Sequence, residues 1–229
     1  MVALQDIKFV AFDLDGTLLD SVPDLALAAD QTMQALGLPG VTLEQVTTWI
    51  GNGADILIGR CLSRDMDVSP DLDPLLHQEA RRLFDRFYDE GGHRQSALYP
   101  GVLETLAAMH RAGIPMAIVT NKPSQFVPHL LEEHKIAEYF VDVIGGDTFP
   151  QRKPDPCALH WLMEKHQLAS HELLMVGDSR NDILAAKAAS CYVVGLTYGY
   201  NYGQPISASD PDIVLDHFSD LAEVVRLGS

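Results

Sequence analysis

At 229 residues the chain can bury a full core and is long enough for one α/β domain with a smaller insert, so two unequal domains are expected. Acidic residues outnumber basic ones 32 to 16, for a net charge of −16, and no Lys/Arg block or basic helix face interrupts them. This argues against nucleic acid and anionic membrane surfaces as partners. Three cysteines, Cys61, Cys157 and Cys191, form no C-x-x-C pair and read as core packing. The N-terminus lacks a basic region leading into an apolar stretch, and no apolar run approaches the roughly 20 residues of a membrane span. A cytoplasmic protein is expected.

The first element is a short apolar strand, Phe9 to Phe12, with the composition of a strand buried on both faces. Asp13 and Asp15 follow it at once, and Gly16 breaks the regularity behind them. From Asp20 the pattern turns helical for about seventy residues. Pro23 sits in a first turn, and Leu25, Ala28, Ala29, Met33 and Leu36 make an apolar stripe ended by Gly37. Thr42 and Gln45 form a capping box for a second helix through Val46 and Ile50. A third helix follows Gly51-Asn52-Gly53 and carries Ile56, Leu57 and Cys61. A long fourth helix is expected from Ser69-Pro70, burying Leu72, Leu75, Leu76, Leu83, Phe84 and Phe87.

From Tyr99 the chain alternates strand and helix, which predicts a parallel sheet covered on both faces. Strands are expected at Met116 to Val119, near Val141 to Ile144, at Leu173 to Val176, at Tyr192 to Leu196 and at Ile213 to Leu215. Helices separate them at about Val102 to Ala112, up to His134, at Ala158 to His166 and up to Ala189, with a last one from Asp220 to Arg226. The expected fold is a Rossmann-like doubly wound α/β core, residues 1–16 and 98–229, interrupted after its first strand by an all-helical cap, residues 17–97.

Two of these strands end in polar groups: Thr120-Asn121 after the second, and Gly177-Asp178-Ser179-Arg180-Asn181-Asp182 after the fourth. A right-handed parallel sheet brings such ends to the edge where the first strand ends in Asp13, the edge where ligands bind in open α/β sheets. D-L-D-G-T-L-L-D, with Thr120-Asn121, a loop Lys153 followed by Pro154, and Asp178 with Asp182, resembles the four-part signature of the haloacid dehalogenase-like phosphatase superfamily. The resemblance implies a phosphomonoester hydrolase in which Asp13 is the nucleophile and Asp15 the acid and base. Thr120 and Asn121 would bind phosphoryl oxygens. Asp13, the Asp15 carbonyl and Asp178 would hold Mg²⁺, with Asp182 orienting its waters.

Phosphoryl transfer spreads charge over three equatorial oxygens, so a bound cation and a local lysine, Lys153, are what an acidic protein needs there. Lys153 is expected to hold Asp13 ionised. For Asp178 and Asp182, helix N-terminal capping is the competing structural role. His129/His134 and His160/His166 lack the i, i+4 spacing of a helical metal pair.

W-I-G-N-G-A-D and L-T-Y-G-Y-N-Y-G also resemble segments of the bacterial phosphoglycolate phosphatases within that superfamily. With Gly51, Asn52 and Gly53 opening a helix and Arg60 about two turns on, a short carboxylate is accommodated. The expected partner is therefore a small phosphorylated organic acid, 2-phosphoglycolate by resemblance. Other small phosphate esters, a sugar phosphomutase and a receiver-like phospho-acceptor are the alternatives. Leu25 stands where β-phosphoglucomutases carry a histidine, and a receiver needs neither Asp15 nor a helical lid.

Overall fold

The computed structural model describes Leu4 and residues 6–226; the ends of the expected core segments, 1–3, 5 and 227–229, lie outside the described residues. Chain order is β1 (Phe9–Phe12), β2 (Leu19–Asp20), α1 (Val22–Ala35), α2 (Leu43–Trp49), α3 (Ala54–Ser63), α4 (Pro74–Gly91) and β3 (Ala97–Leu98). It continues through α5 (Val102–Arg111), β4 (Met116–Val119), α6 (Val127–Glu133), β5 (Phe140–Ile144), α7 (Cys157–His166) and β6 (Leu173–Gly177). The chain then runs through α8 (Arg180–Ala189), β7 (Tyr192–Leu196), β8 (Ile213–Leu215) and α9 (Leu221–Val224).

Six strands form one sheet in the order β5-β4-β1-β6-β7-β8, and every pairing is parallel. Strand β1 is central, and its side chains alternate between the two faces as period-2 geometry demands. Val10 and Phe12 pack with Val102, Leu106 and Met109 of α5 and with α6 and α9. Phe9 and Ala11 pack on the other face with Leu159 and Leu162 of α7 and with α8. Truncating a fully buried phenylalanine such as Phe12 to alanine costs about 3–5 kcal/mol in transfer and cavity terms.

Helices α1 to α4 share a separate apolar cluster that includes Met33, Val46, Trp49, Ile58 and Phe84. Two residues from outside the segment 17–97 complete it, Phe126 after β4 and Tyr200 after β7. The chain enters and leaves this helical segment side by side, because Leu19-Asp20 pairs antiparallel with Ala97-Leu98. Leu19, Asp20 and Ala97 of that ladder lie within the stretch expected to be all-helical, and Leu98 just beyond it.

Other boundaries also differ. Helix α4 begins at Pro74, with the Asp73 carboxylate accepting from the Leu75 N–H as N-cap, rather than at Ser69-Pro70. Leu75 is consequently in the first turn and 75% exposed instead of buried. The last helix is one turn, Leu221–Val224, entered through a 3-10 turn. Cys61 and Cys191 are buried, whereas Cys157 is half-buried and its Sγ donates to the Gln151 carbonyl at 3.1 Å. The Thr42/Gln45 capping box is formed. Among the described residues no helix is long and apolar enough to cross a membrane.

Candidate active site

Strands β4 and β6 flank β1 directly, with Phe12 level with Ile118 on one side and Val176 on the other. The residues that follow these three strand ends therefore meet at one edge. Asp13 ends β1, its N–H donating to the Val176 carbonyl at 3.0 Å and its Oδ1 accepting from the Leu14 N–H at 2.8 Å. Carboxylate oxygens of Asp13, Asp178 and Asp182 lie within 4.8 Å of one another.

Each member of this cluster is held by its own partners. Asp178 Oδ1 accepts from the Thr17 hydroxyl at 2.6 Å, and its Oδ2 accepts from the Tyr200 N–H at 2.5 Å. Glycine is required beside it: a Cβ on Gly16, whose φ is +87°, would lie 2.2 Å from the Asp178 carboxylate, and one on Gly199 would lie 2.2 Å from its Cβ. Asp182 performs the capping expected of an acid in a first turn, its Oδ2 accepting from the N–H and hydroxyl of Ser179 at 3.0 and 2.8 Å. Its other oxygen accepts from Lys153 Nζ at 2.6 Å, so capping and the polar site share one side chain.

Lys153 Nζ also donates to the Val119 carbonyl at 2.6 Å and lies 3.1 Å from Asp13 Oδ1. Burial works against its charge, but Asp13 and Asp182 outweigh burial and hold the ammonium above the usual lysine range. For Asp13 the balance runs the other way. Burial pushes its carboxyl up to about 6, Asp182 and Asp15 push the same way, and Lys153 only partly opposes them. Lys153 therefore favours the Asp13 carboxylate, as expected, against the opposing effect of burial. Asp178 is likewise raised well above the ordinary carboxyl range, by burial first and then by Asp13 and Asp182. Three oxygen donors crowded together, two of them costly to ionise, fit a hard divalent cation.

Thr120 and Asn121 follow β4 and are buried. The Thr120 hydroxyl accepts from the Lys122 N–H at 3.2 Å, and the Asn121 amide donates to the carbonyls of Lys153 and Gly51 at 2.9 and 3.0 Å. Asp15, at 20% side-chain exposure, accepts from the Ser21 hydroxyl at 2.6 Å and from Lys122 Nζ at 3.1 Å. A cavity of about 50 Å³ is lined by Asp13, Asp15, Thr120 and Asp178 together with Leu25, Ile50, Leu57 and Phe84.

The helical-segment residues divide. Gly51 and Gly53 line the cavity. The Asn52 side chain instead accepts from the Tyr202 hydroxyl at 2.9 Å, and its carbonyl from Arg152 at 3.1 Å. The Gly51 carbonyl accepts a second amide, that of Asn181, at 2.9 Å. Arg60 differs from the expectation of a charge offered to an anion. Its guanidinium is buried and donates to the carbonyls of Trp49 at 2.5 Å and Met66 at 2.8 Å, bracing the helices instead.

Sequence reasoning did not single out Lys122, Tyr88 or Ser21. Lys122 was the most accessible of these, since a lysine directly after Thr120-Asn121 is delivered to the same edge by the same strand. Tyr88 sits one turn beyond Phe84 on α4, a spacing that reads as core.

Paired aspartates after the first strand, a buried lysine and a second acidic loop meet at one end of this parallel sheet, the arrangement that the haloacid dehalogenase-like signature implies. The chain belongs to the haloacid dehalogenase-like hydrolases, whose family model matches residues 10–196. It is 77% identical over 227 residues to the phosphoglycolate phosphatase of Photobacterium profundum, covering 99% of both chains. It is 64% identical over 225 residues to that of Vibrio parahaemolyticus, covering 98% of this chain and 99% of the other. The crystal structure of a predicted phosphoglycolate phosphatase from Haemophilus somnus superposes with a TM-score of 0.90 at 40% identity, covering 97% of this chain and 99% of that one.

Proposed function

We propose that this protein is a Mg²⁺-dependent phosphatase that hydrolyses 2-phosphoglycolate to glycolate and phosphate through an aspartyl phosphate. The observation that carries the reading is the meeting of Asp13, Asp15, Thr120 and Asp178 around one cavity, with Lys153 paired to Asp13. The relative from Photobacterium profundum, 77% identical over 227 residues, carries the name of that activity.

Asp13, the backbone carbonyl of Asp15 and Asp178 would hold the cation, which when bound supplies positive charge against the phosphate oxygens. In this reading the Asp13 carboxylate attacks phosphorus and the bond to the ester oxygen breaks. Asp15 gives its proton to that oxygen as glycolate leaves. Asp15 then takes a proton from water, whose oxygen attacks the phosphorus and returns Asp13 as a free carboxylate. The Thr120 hydroxyl and the Asn121 backbone N–H would receive the equatorial oxygens, Lys153 fixes Asp13 through the ion pair, and Asp182 fixes Lys153. The segment 17–97 is the cap that excludes water, and the Gly51 to Gly53 loop is its seam with the core. Asn52 and Arg60 support that seam. A cytoplasmic location belongs to this reading, supported by three cysteines that all stand free.

A panel of small phosphate esters assayed with Mg²⁺ tests it. The value of kcat/KM for 2-phosphoglycolate should exceed those for glycerol phosphate and a sugar phosphate by at least about tenfold. Equal values would remove the substrate and leave the phosphatase, while a single turnover would remove the hydrolase.

A further inference from the structure

Lys122 and Tyr88 have no part in the steps above, yet both are nearly inaccessible and both border the cavity. The Lys122 side chain is 2% exposed, and its Nζ donates to the two oxygens of Asp15 at 3.1 and 3.2 Å and to the Tyr88 hydroxyl at 2.8 Å. Tyr88 is fixed in turn, stacked on Phe84 and met edge-on by Phe126. Leu25, Ile50 and Leu57 also line the cavity and offer an anion no charge.

Burying an ammonium costs several kcal/mol unless it is well paired, so this one calls for a reason. It is not required beside Asp13, where Lys153 already provides the cation. Both Asp15 and Lys122 border the cavity, so an anion bound there comes within reach of the Lys122 ammonium.

The spacing indicates which anion. A leaving-group acid lies within about 2.6–3.2 Å of the ester oxygen it protonates. Lys122 lies about as far again beyond Asp15. In a phosphate ester of glycolic acid the carboxylate oxygens stand three bonds from the ester oxygen, roughly 3 Å away by bond lengths. A carboxylate so placed reaches Nζ while the ester oxygen meets Asp15, and the Tyr88 hydroxyl, whose own oxygen accepts from Lys122, has its proton free for the same carboxylate.

We propose that Lys122, with the Tyr88 hydroxyl, is the subsite for the substrate's α-carboxylate, and that its occupation draws Lys122 off Asp15. This rests on the phosphatase reading above.

The test compares 2-phosphoglycolate with ethyl phosphate, which replaces the carboxylate by a methyl group, in the Mg²⁺-loaded full chain. The wild type should prefer phosphoglycolate in kcat/KM. Lys122→Met should lower that preference by about thirtyfold or more, chiefly through the KM for phosphoglycolate, because a buried charge loses its partner. Lys122→Arg should restore part of it, and Tyr88→Phe should lower it several-fold. If Lys122 merely positions Asp15, both substrates suffer equally and the unchanged ratio overturns the subsite. A wild type without preference would overturn the subsite and the substrate reading together. Should Lys122→Met fail to fold, the ratio in Tyr88→Phe decides.

Discussion

The backbone N–H of Tyr200 donates to Asp178 Oδ2 at 2.5 Å, so the loop after β7 holds a carboxylate of the acidic cluster. The same residue reaches the passage between core and helices, its hydroxyl donating to Asp20 on β2. The flanking tyrosines do likewise, Tyr198 bonding the Thr17 carbonyl at 2.8 Å and Tyr202 the Asn52 side chain at 2.9 Å. Alternate tyrosines of Y-G-Y-N-Y thus stitch the site to three points along the chain that closes it.

Tyr200→Phe keeps the backbone bond and removes the hydroxyl from Asp20. A hydrogen bond to a charged group contributes about 1.5–3 kcal/mol, and at this chain length each kcal/mol moves Tm by about 2–4 °C. A Tm lowered by several degrees and a KM raised several-fold, with Mg²⁺ affinity nearly unchanged, are the expected results of thermal denaturation and steady-state assays. A variant unaltered in both Tm and KM would detach Tyr200 from the closure of the site.

The raised carboxyls give the metal-free protein a pH dependence. Asp13 titrates at about 6 in the folded chain against 3.8 ordinarily, so the folded state binds the extra proton. Its contribution is fully present below the lower value and is lost as pH rises through the higher one; Asp178 acts in the same direction. Without divalent cation, Tm should fall between about pH 4 and pH 6. Saturating Mg²⁺ should abolish that fall, since metal binding requires the ionised forms. Calorimetry with and without chelator measures both, and a metal-free Tm that climbs over this range would contradict the assignment.

Asp15→Ala should slow release of alkoxides far more than release of p-nitrophenolate, because a good leaving group needs little proton donation. Comparing 2-phosphoglycolate with p-nitrophenyl phosphate on the one variant reads this directly. Equal losses would take Asp15 out of the acid role.

Much of this architecture was legible because the central strands are buried on both faces and read as unbroken apolar runs. Met116 to Val119 and Tyr192 to Leu196 occupy the expected positions to the residue. The convergence of Asp13, Asp178 and Asp182 followed from the parallel order, in which sequence separation ceases to matter. What stayed hidden depends on tertiary placement. The Leu19-Asp20 ladder with Ala97-Leu98 is two residues long and exists because the chain leaves the helices where it entered them. Arg60 has the spacing of an anion ligand but points to the carbonyls of Trp49 and Met66. Lys122 was visible as a residue type at the right edge, yet its role depends on Tyr88 arriving from a helix 34 positions away.

The central claim is that Asp13 is the nucleophile, and turnover by purified Asp13→Asn tests it most directly. The substitution keeps the side chain's size and removes the attacking charge, so the variant should fold with a Tm at least equal to that of the metal-free wild type. Its activity on both 2-phosphoglycolate and p-nitrophenyl phosphate should fall by at least about 10³-fold, as expected for loss of a covalent nucleophile. A folded variant retaining a tenth of wild-type turnover on either substrate would contradict the account.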